Sequence, residues 1–103
     1  MDKDLELRTS LLSWKAPPHE WVKLNVDGSM HVGSRAIAAG GVIRDSQKNW
    51  LGGSALNKGM GSVIEAGLWG ILEGLKITWK VGYKQIVVES GSFEVVSFLI
   101  SLL

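Results

Sequence analysis

The residues of this chain best suited to chemistry are carboxylates, and the first of them is Asp27, in the stretch Trp21-Val22-Lys23-Leu24-Asn25-Val26-Asp27-Gly28-Ser29. Trp21, Lys23, Asn25 and Asp27 fall on one side of an extended segment, and Val22, Leu24 and Val26 on the other, the two-residue period of a strand with one apolar face. Asp27 is thereby expected at the strand's end, where Gly28 permits a bend. A carboxylate held there by a packed scaffold but open to solvent can bind a metal ion; a turn-forming Asp is the plainer reading of the same position. The remaining candidates are scattered. Glu65 stands three residues after Ser62, the spacing of a helix capping box, and Asp45 falls in a short polar connection. His19 and His31 are isolated and read as polar loop residues, and the absence of cysteine excludes disulfides, thiolate nucleophiles and cysteine metal sites.

The composition bounds what these groups belong to. With 103 residues, 46% of them hydrophobic, the chain suffices for one small domain with one core. Eleven Lys and Arg against ten Asp and Glu leave a net charge of +1, so any attraction to nucleic acid must be local. No charged n-region precedes an apolar h-region, and no apolar run has membrane-spanning length. No membrane partner is expected, and the lack of a secretory signal and of cysteines favours an intracellular location, nuclear or cytoplasmic.

The elements that would position the carboxylates follow from periodicity and punctuation. Residues 1–13 carry Leu5, Leu7, Leu11 and Leu12 among charges and are expected as a tail, a short helix or frayed chain, before Pro17 and Pro18 impose an extended approach to Trp21. Three strands are expected next: the Trp21 stretch, Ala36 to Arg44, and Trp50 to Leu56, the last two joined by a hairpin connection at Asp45 to Asn49. Ser62 opens a helix whose Ile64, Leu68, Ile71, Leu72, Leu75 and Trp79 form one apolar stripe, with Gly82 as the stop signal. Gln85 to Ser90 reads as a fourth strand, and Ser92 begins a second helix with Phe93, Val96, Phe98, Leu99, Ile100, Leu102 and Leu103. A strand after a crossover helix lies parallel in the same sheet, so the architecture is a mixed α/β sheet.

In this order the chain resembles the ribonuclease H-like domain of plant, retroelement-derived, reverse-transcriptase-like proteins. The resemblance is carried by Trp14 with Pro17-Pro18, WVKLNVDGS at 21–29, AGGVIRDS at 39–46, WLGG at 50–53, EAGLWGILEGLKITWKVG at 65–82 and VVESGSFEVV at 87–96. It implies three antiparallel strands followed by helix, strand and helix, truncated before the fifth strand, with residues 14–103 as a partial domain behind a tail of residues 1–13. It also implies hydrolysis of RNA paired to DNA by magnesium ions held between carboxylates, where divalent cations offset the repulsion of packed anions.

Asp27 matches the first of those carboxylates. The second belongs to an Ala-Glu-Leu pattern, here Ala66-Gly67-Leu68, and the third to an Asp-Ser pattern, here Gly91-Ser92; a further one lies downstream of Leu103. Among the carboxylates the resemblance implies, Asp27 alone remains, so Gly67 and Gly91 mark a degenerate site. Glu65 lies roughly 200° around the helix from Gly67, and Glu89 roughly 6–7 Å back along its strand from Gly91, so neither substitutes directly. Gly67 has no evident explanation besides the missing acid, whereas Gly70 and Gly74 suit close helix-to-sheet packing.

Two functions follow as expectations. One is an RNA or RNA-DNA hybrid binding domain with impaired hydrolysis, using Asn25, Ser29, Arg35 and Lys58, with Trp50 and Trp69 as packing aromatics. The other is a noncatalytic interaction or structural domain, with homo-oligomers forming through an open sheet edge or the apolar C-terminal helix. The strand at Ile86 to Ser90 is predicted to lie near that open edge, and a neighbour from the same chain on both its sides would refute this.

Overall fold

The computed structural model describes residues 4–9 and 14–102, so Leu11, Leu12 and Leu103 lie outside the described residues. The elements run β1 (Asp4–Thr9), β2 (Val22–Met30), β3 (Ala36–Asp45), β4 (Trp50–Met60), α1 (Val63–Lys80), β5 (Gln85–Ser90) and α2 (Phe93–Ser101). They build one mixed sheet in the order β1-β5-β2-β3-β4, the last three strands forming the expected antiparallel meander.

The open-edge prediction fails. β5 pairs in parallel with β2 on one side and with β1 on the other, Asp4 opposite Gln85 through Thr9 opposite Ser90. Six residues assigned by sequence to a tail thus occupy the place beside β5, and the sheet has five strands. Leu5 and Leu7 alternate with Glu6 and Arg8, and Leu7 packs against the core while the other two pair with each other. The strand pattern was there, but six residues gave too short a period to separate it from helix.

The helix caps agree with the sequence. The Glu65 amide donates to Ser62 Oγ at 3.1 Å and the Ser62 amide to Glu65 Oε1 at 3.0 Å, so Glu65 is a capping residue. Gly82, at φ 96, ends α1, its amide donating to the Trp79 carbonyl at 3.0 Å.

The stripe of bulky residues on α1 meets the core in part, with Ile71 in the cluster and Ile64, Leu68 and Leu75 packed against it, but the helix buries its small residues most fully. Its buried positions are Ala66, Gly67, Gly70, Ile71, Gly74 and Thr78, while Leu72 and Trp79 are exposed. The helix is rotated so that glycines face the sheet, because only they allow its backbone so close to β2. A Cβ on Gly70 would lie 2.5 Å from Val26 Cγ1, and one on Gly74 2.6 Å from Leu24 Cδ2. Val22, Leu24, Val26, Ile43, Ile71, Ile86, Val88 and Val95 close the core around this contact.

The same close approach predicts that Gly70→Ala destabilises the protein by about 1–3 kcal/mol through overpacking on Val26 and Ala39, although alanine is intrinsically the better helix former by about 1 kcal/mol. Urea unfolding of the two proteins, followed by circular dichroism, measures the sign.

Candidate functional site

Asp27 lies inside β2 rather than at its end, since the strand continues to Met30. Gly28 serves the helix, not a bend: a Cβ there would stand 2.7 Å from the Gly67 amide nitrogen and 2.9 Å from Ala66 Cβ. The first turn of α1 therefore crosses directly over the residue after Asp27. Val22, Leu24 and Val26 face that helix, which sends Lys23, Asn25 and Asp27 to the opposite face of the sheet.

On that face the antiparallel register sets Asn25 opposite Val42, Asp27 opposite Gly40 and Ser29 opposite Ala38. Small residues on β3 leave an open concavity of about 730 Å³, lined by exposed Asp27 and by Gly91 among others. A Cβ on Gly91 would lie 3.9 Å from Asp27 Oδ1 and touch nothing closer, so a side chain at 91 would stand beside Asp27.

Gly67 is different. It is buried, and a Cβ there would lie 2.6 Å from Val95 Cγ2, in space already filled by α2. Its glycine thus has a packing explanation that the sequence did not reveal, because the contact joins residues 28 positions apart. Among the described residues, no group of three or more His, Asp or Glu side chains is close enough to share a metal ion.

Asn25 and Ser29 both line the concavity, but Asn25 is already engaged. Its Nδ2 donates to Glu89 Oε1 at 3.0 Å, and its Oδ1 accepts from Trp14 Nε1 at 2.9 Å. Lys23 completes the network. Its ammonium donates to Glu89 Oε2 at 3.0 Å and to the Lys15 carbonyl, and lies 5.3 Å from the Trp14 ring centre. With Lys23 1% exposed and Glu89 7%, this is a buried ion pair, and Glu89 is committed to it rather than to Asp27.

The segment leading into β2 is pinned by these contacts across the sheet face beside the concavity. Sequence reasoning missed Trp14, Lys23 and Glu89 as a unit. The alternation placed Lys23 and Asn25 on one face, but the register that sets Asn25 opposite Glu89 was unreadable.

Arg35 and Lys58 do not join this face as a cluster. Arg35, at φ 62, holds the β2–β3 turn through its backbone, donating to the His31 carbonyl at 2.7 Å and accepting from the Gly61 amide at 3.0 Å. Lys58 lies over the Trp69 ring of α1 at 4.3 Å, on the helical side of the sheet. Trp69 and Trp50 are 37% and 66% exposed, so neither is a core residue, although Trp69 packs against Lys58.

The comparisons with known proteins fit this architecture. The model of the family described as reverse transcriptase-like matches residues 25–102. A protein of Arabidopsis thaliana named after ribonuclease H is 37% identical over 89 residues, covering 86% of this chain and 14% of its own length. This chain belongs to the reverse transcriptase-like family. Among solved structures, RNase H1 of Halobacterium salinarum superposes with a TM-score of 0.72 at 18% identity, over 81% of this chain and 63% of that one. LC11-RNase H1 in complex with an RNA/DNA hybrid gives 0.71 at 20% identity, over 80% and 62%. The N-terminal RNase H domain of rv2228c from Mycobacterium tuberculosis, fused to maltose-binding protein, gives 0.73 at 21%, over 81% and 60%. The fold is ribonuclease H-like, and the chain spans less than two thirds of each of these proteins.

In this reverse transcriptase-like domain Asp45 is a turn residue. Its carboxylate accepts from the Asn49 and Gln47 amides, each at 2.9 Å, and from Asn49 Nδ2 at 3.1 Å. The Asn49 backbone bond foremost, then the Asn49 side chain and the Gln47 amide, hold its carboxyl below the usual 3.8, against the opposing effect of desolvation. A carboxyl lowered on folding stabilises above its unfolded pKa and loses that contribution as pH falls through the folded value. The stability gap between the wild type and Asp45→Ala should therefore be constant near neutrality and shrink on acidification below the usual carboxylate range, as read by urea unfolding at several pH values. For the buried pair, Lys23→Met should cost about 3 kcal/mol by leaving Glu89 unpaired, and Lys23→Met with Glu89→Leu should recover a large part of it. Thermal unfolding of both variants tests this.

Proposed function

We propose that this chain is a ribonuclease H-like nucleic-acid-binding domain whose hydrolytic centre is impaired. The observation that carries the reading is the state of the two glycines: Gly91 puts hydrogen where a side chain would stand beside Asp27, and Val95 fills the space beside Gly67. The hydrolysis that the resemblance implies needs magnesium held between several carboxylates, and exposed Asp27 belongs to no group of three or more His, Asp or Glu side chains among the described residues, which does not fit that donor set. Binding is supported by the retained fold, by the open concavity with Asn25, Asp27 and Ser29, and by the RNA/DNA hybrid bound to LC11-RNase H1. Arg35 and Lys58 lie apart, with Lys58 on the helical side of the sheet, so few cations serve the concavity and affinity should be low.

A second reading, a noncatalytic interaction or structural domain that self-associates, is favoured by α2. Its Phe93, Phe98 and Ile100, and Leu102 just beyond it, are 70%, 45%, 53% and 67% exposed. Sedimentation separates the two: the first reading predicts a monomer that shifts a labelled RNA-DNA duplex at low salt, the second a stable oligomer with no salt-sensitive shift.

The decisive measurement is cleavage of a labelled RNA-DNA duplex across a magnesium titration. No turnover above background is expected, and turnover abolished by Asp27→Asn would overturn the impairment. Gly91→Asp should fold, because the site has room, and should gain a magnesium-dependent rise in melting temperature that the wild type lacks. Gly67→Glu alone should be destabilising by about 1–3 kcal/mol, since it must displace Val95; Val95→Ala in the same chain should recover part of that loss in a thermal unfolding assay.

A further inference from the structure

We propose that Trp50 and Arg44 form a stacking site for an unpaired nucleotide on the open face of the sheet, beside the concavity; this rests on the nucleic-acid-binding reading and extends it to a single-stranded part of the ligand. Register places both side chains. Arg44 pairs with Lys23 on one side and with Trp50 on the other, and paired residues of neighbouring strands project to the same face. Lys23 lies on the face opposite α1, so Arg44 and Trp50 do too. A bulge brings this about: Gly52 stands opposite Ile43 but Trp50 opposite Arg44, so Leu51 is the extra residue. Regular pairing would have set Leu51 opposite Arg44 and turned the indole to the helical side, and re-aiming one side chain is what a bulge does.

The indole is seated on a glycine. A Cβ on Gly53 would lie 3.6 Å from Trp50 Cζ2 and 3.9 Å from its Nε1, so the ring lies along the strand over Gly53. Gly53 pairs with Val42, and Val42 with Asn25, both of which line the concavity. Most of Trp50 remains open to solvent, and an exposed indole offers a surface on which any base stacks. Trp50 shares its cross-strand row with Lys23, four residues before Asp27, roughly 13 Å along the sheet. A strand held at the concavity therefore needs only a few further nucleotides to reach it.

Charge at this end of the face suits the phosphate that accompanies a base. The Arg44 guanidinium carbon lies 5.7 Å from the Trp14 ring centre, which holds the cation in the row of Trp50. Exposed Lys15 and Lys48 belong to the same end, Lys15 through its carbonyl on Lys23 and Lys48 in the turn after β3. The carboxylates of Asp45 and Glu89 are committed, the first to turn amides and the second to Lys23 and Asn25. A proline-rich peptide would use the indole but not the cations, so the combination favours a nucleotide.

The test measures, by fluorescence anisotropy at low salt, binding of the full chain to a labelled RNA-DNA duplex, blunt or with a short unpaired RNA extension. The extension should tighten binding at least about fivefold, and an abasic extension of the same length should not. Trp50→Ala should bring the two duplexes to equal affinity, Trp50→Phe should keep part of the gain, and Trp79→Ala, which removes an exposed tryptophan of α1, should keep all of it. Arg44→Gln should lower the salt slope of log Kd for the extended duplex by about 0.7, the share of one phosphate contact on a single strand. No gain from the extension in the wild type, or an equal gain from the abasic one or in Trp50→Ala, would overturn the stacking site and leave the nucleic-acid reading standing. Absence of binding to either duplex would overturn both. Binding of a proline-rich peptide that Trp50→Ala abolishes, with no gain from the extension, would overturn the site as a nucleotide platform and assign it to peptide. The abasic comparison needs no variant, so the outcome does not hang on whether Trp50→Ala folds.

Discussion

The first helix lies so close to the second strand and to α2 that three of its inward positions leave no room for a side chain. Gly67, Gly70 and Gly74 follow one another at three- and four-residue intervals along α1, and each would drive a Cβ within 2.6 Å of a branched side chain: Val95, Val26 or Leu24. On the strand, Gly28 answers them, with the backbone of Ala66 and Gly67 less than 3 Å from where its Cβ would be. Interiors pack at near-crystalline density, so this contact behaves as a fixed distance between two backbones. It sets the rotation of the helix, leaves its bulky residues at the flanks and fixes which face of β2 carries Asp27.

The opposite face obeys a different constraint. There the polar side chains of β2 are covered in part by the chain that leads into it, and covering Lys23 obliges a partner. Glu89 supplies it from β5, Asn25 bonds the second carboxylate oxygen, and Trp14 closes the set. Removing charges from water is unfavourable unless geometry and further hydrogen bonds offset it, and in this network Asn25 and the Lys15 carbonyl supply those bonds. The network's consequence for the site is that the carboxylate two residues before Gly91 is already bound, while Asp27 faces solvent.

These two faces explain what could be read from the chain and what could not. The antiparallel meander, the Ser62 and Glu65 capping box, the Gly82 stop and the β5 strand rest on local patterns and were legible. The role of Gly67 rests on Val95, the fate of Glu89 on the pairing of β5 with β2, and the place of Asp4–Thr9 on an edge reached from the far end of the sequence. Each is a contact between distant segments, which periodicity does not encode. The bulky stripe of α1 was legible in part: Ile64, Leu68, Ile71 and Leu75 pack at the core while Leu72 and Trp79 are exposed, because a helix that must approach a sheet closely buries its smallest residues deepest.

The two glycines of the site also differ in what they allow. At Gly91 the backbone is open to a side chain beside Asp27, so its glycine is no packing requirement and the position could carry an acid without disturbing the fold. At Gly67 the surroundings have closed, since Val95 occupies the volume that a longer residue would need and belongs to the core cluster on which α2 is seated. A carboxylate there would require α2 to yield, and α2 is joined to the core through that same valine. Placing an acid at the two positions is therefore not symmetric: one asks for a single substitution, the other for a repacked core. Densely packed anions are tolerated only where cations balance them, so an acid introduced at 67 would face both the volume of Val95 and, beside Asp27, the repulsion of a second carboxylate.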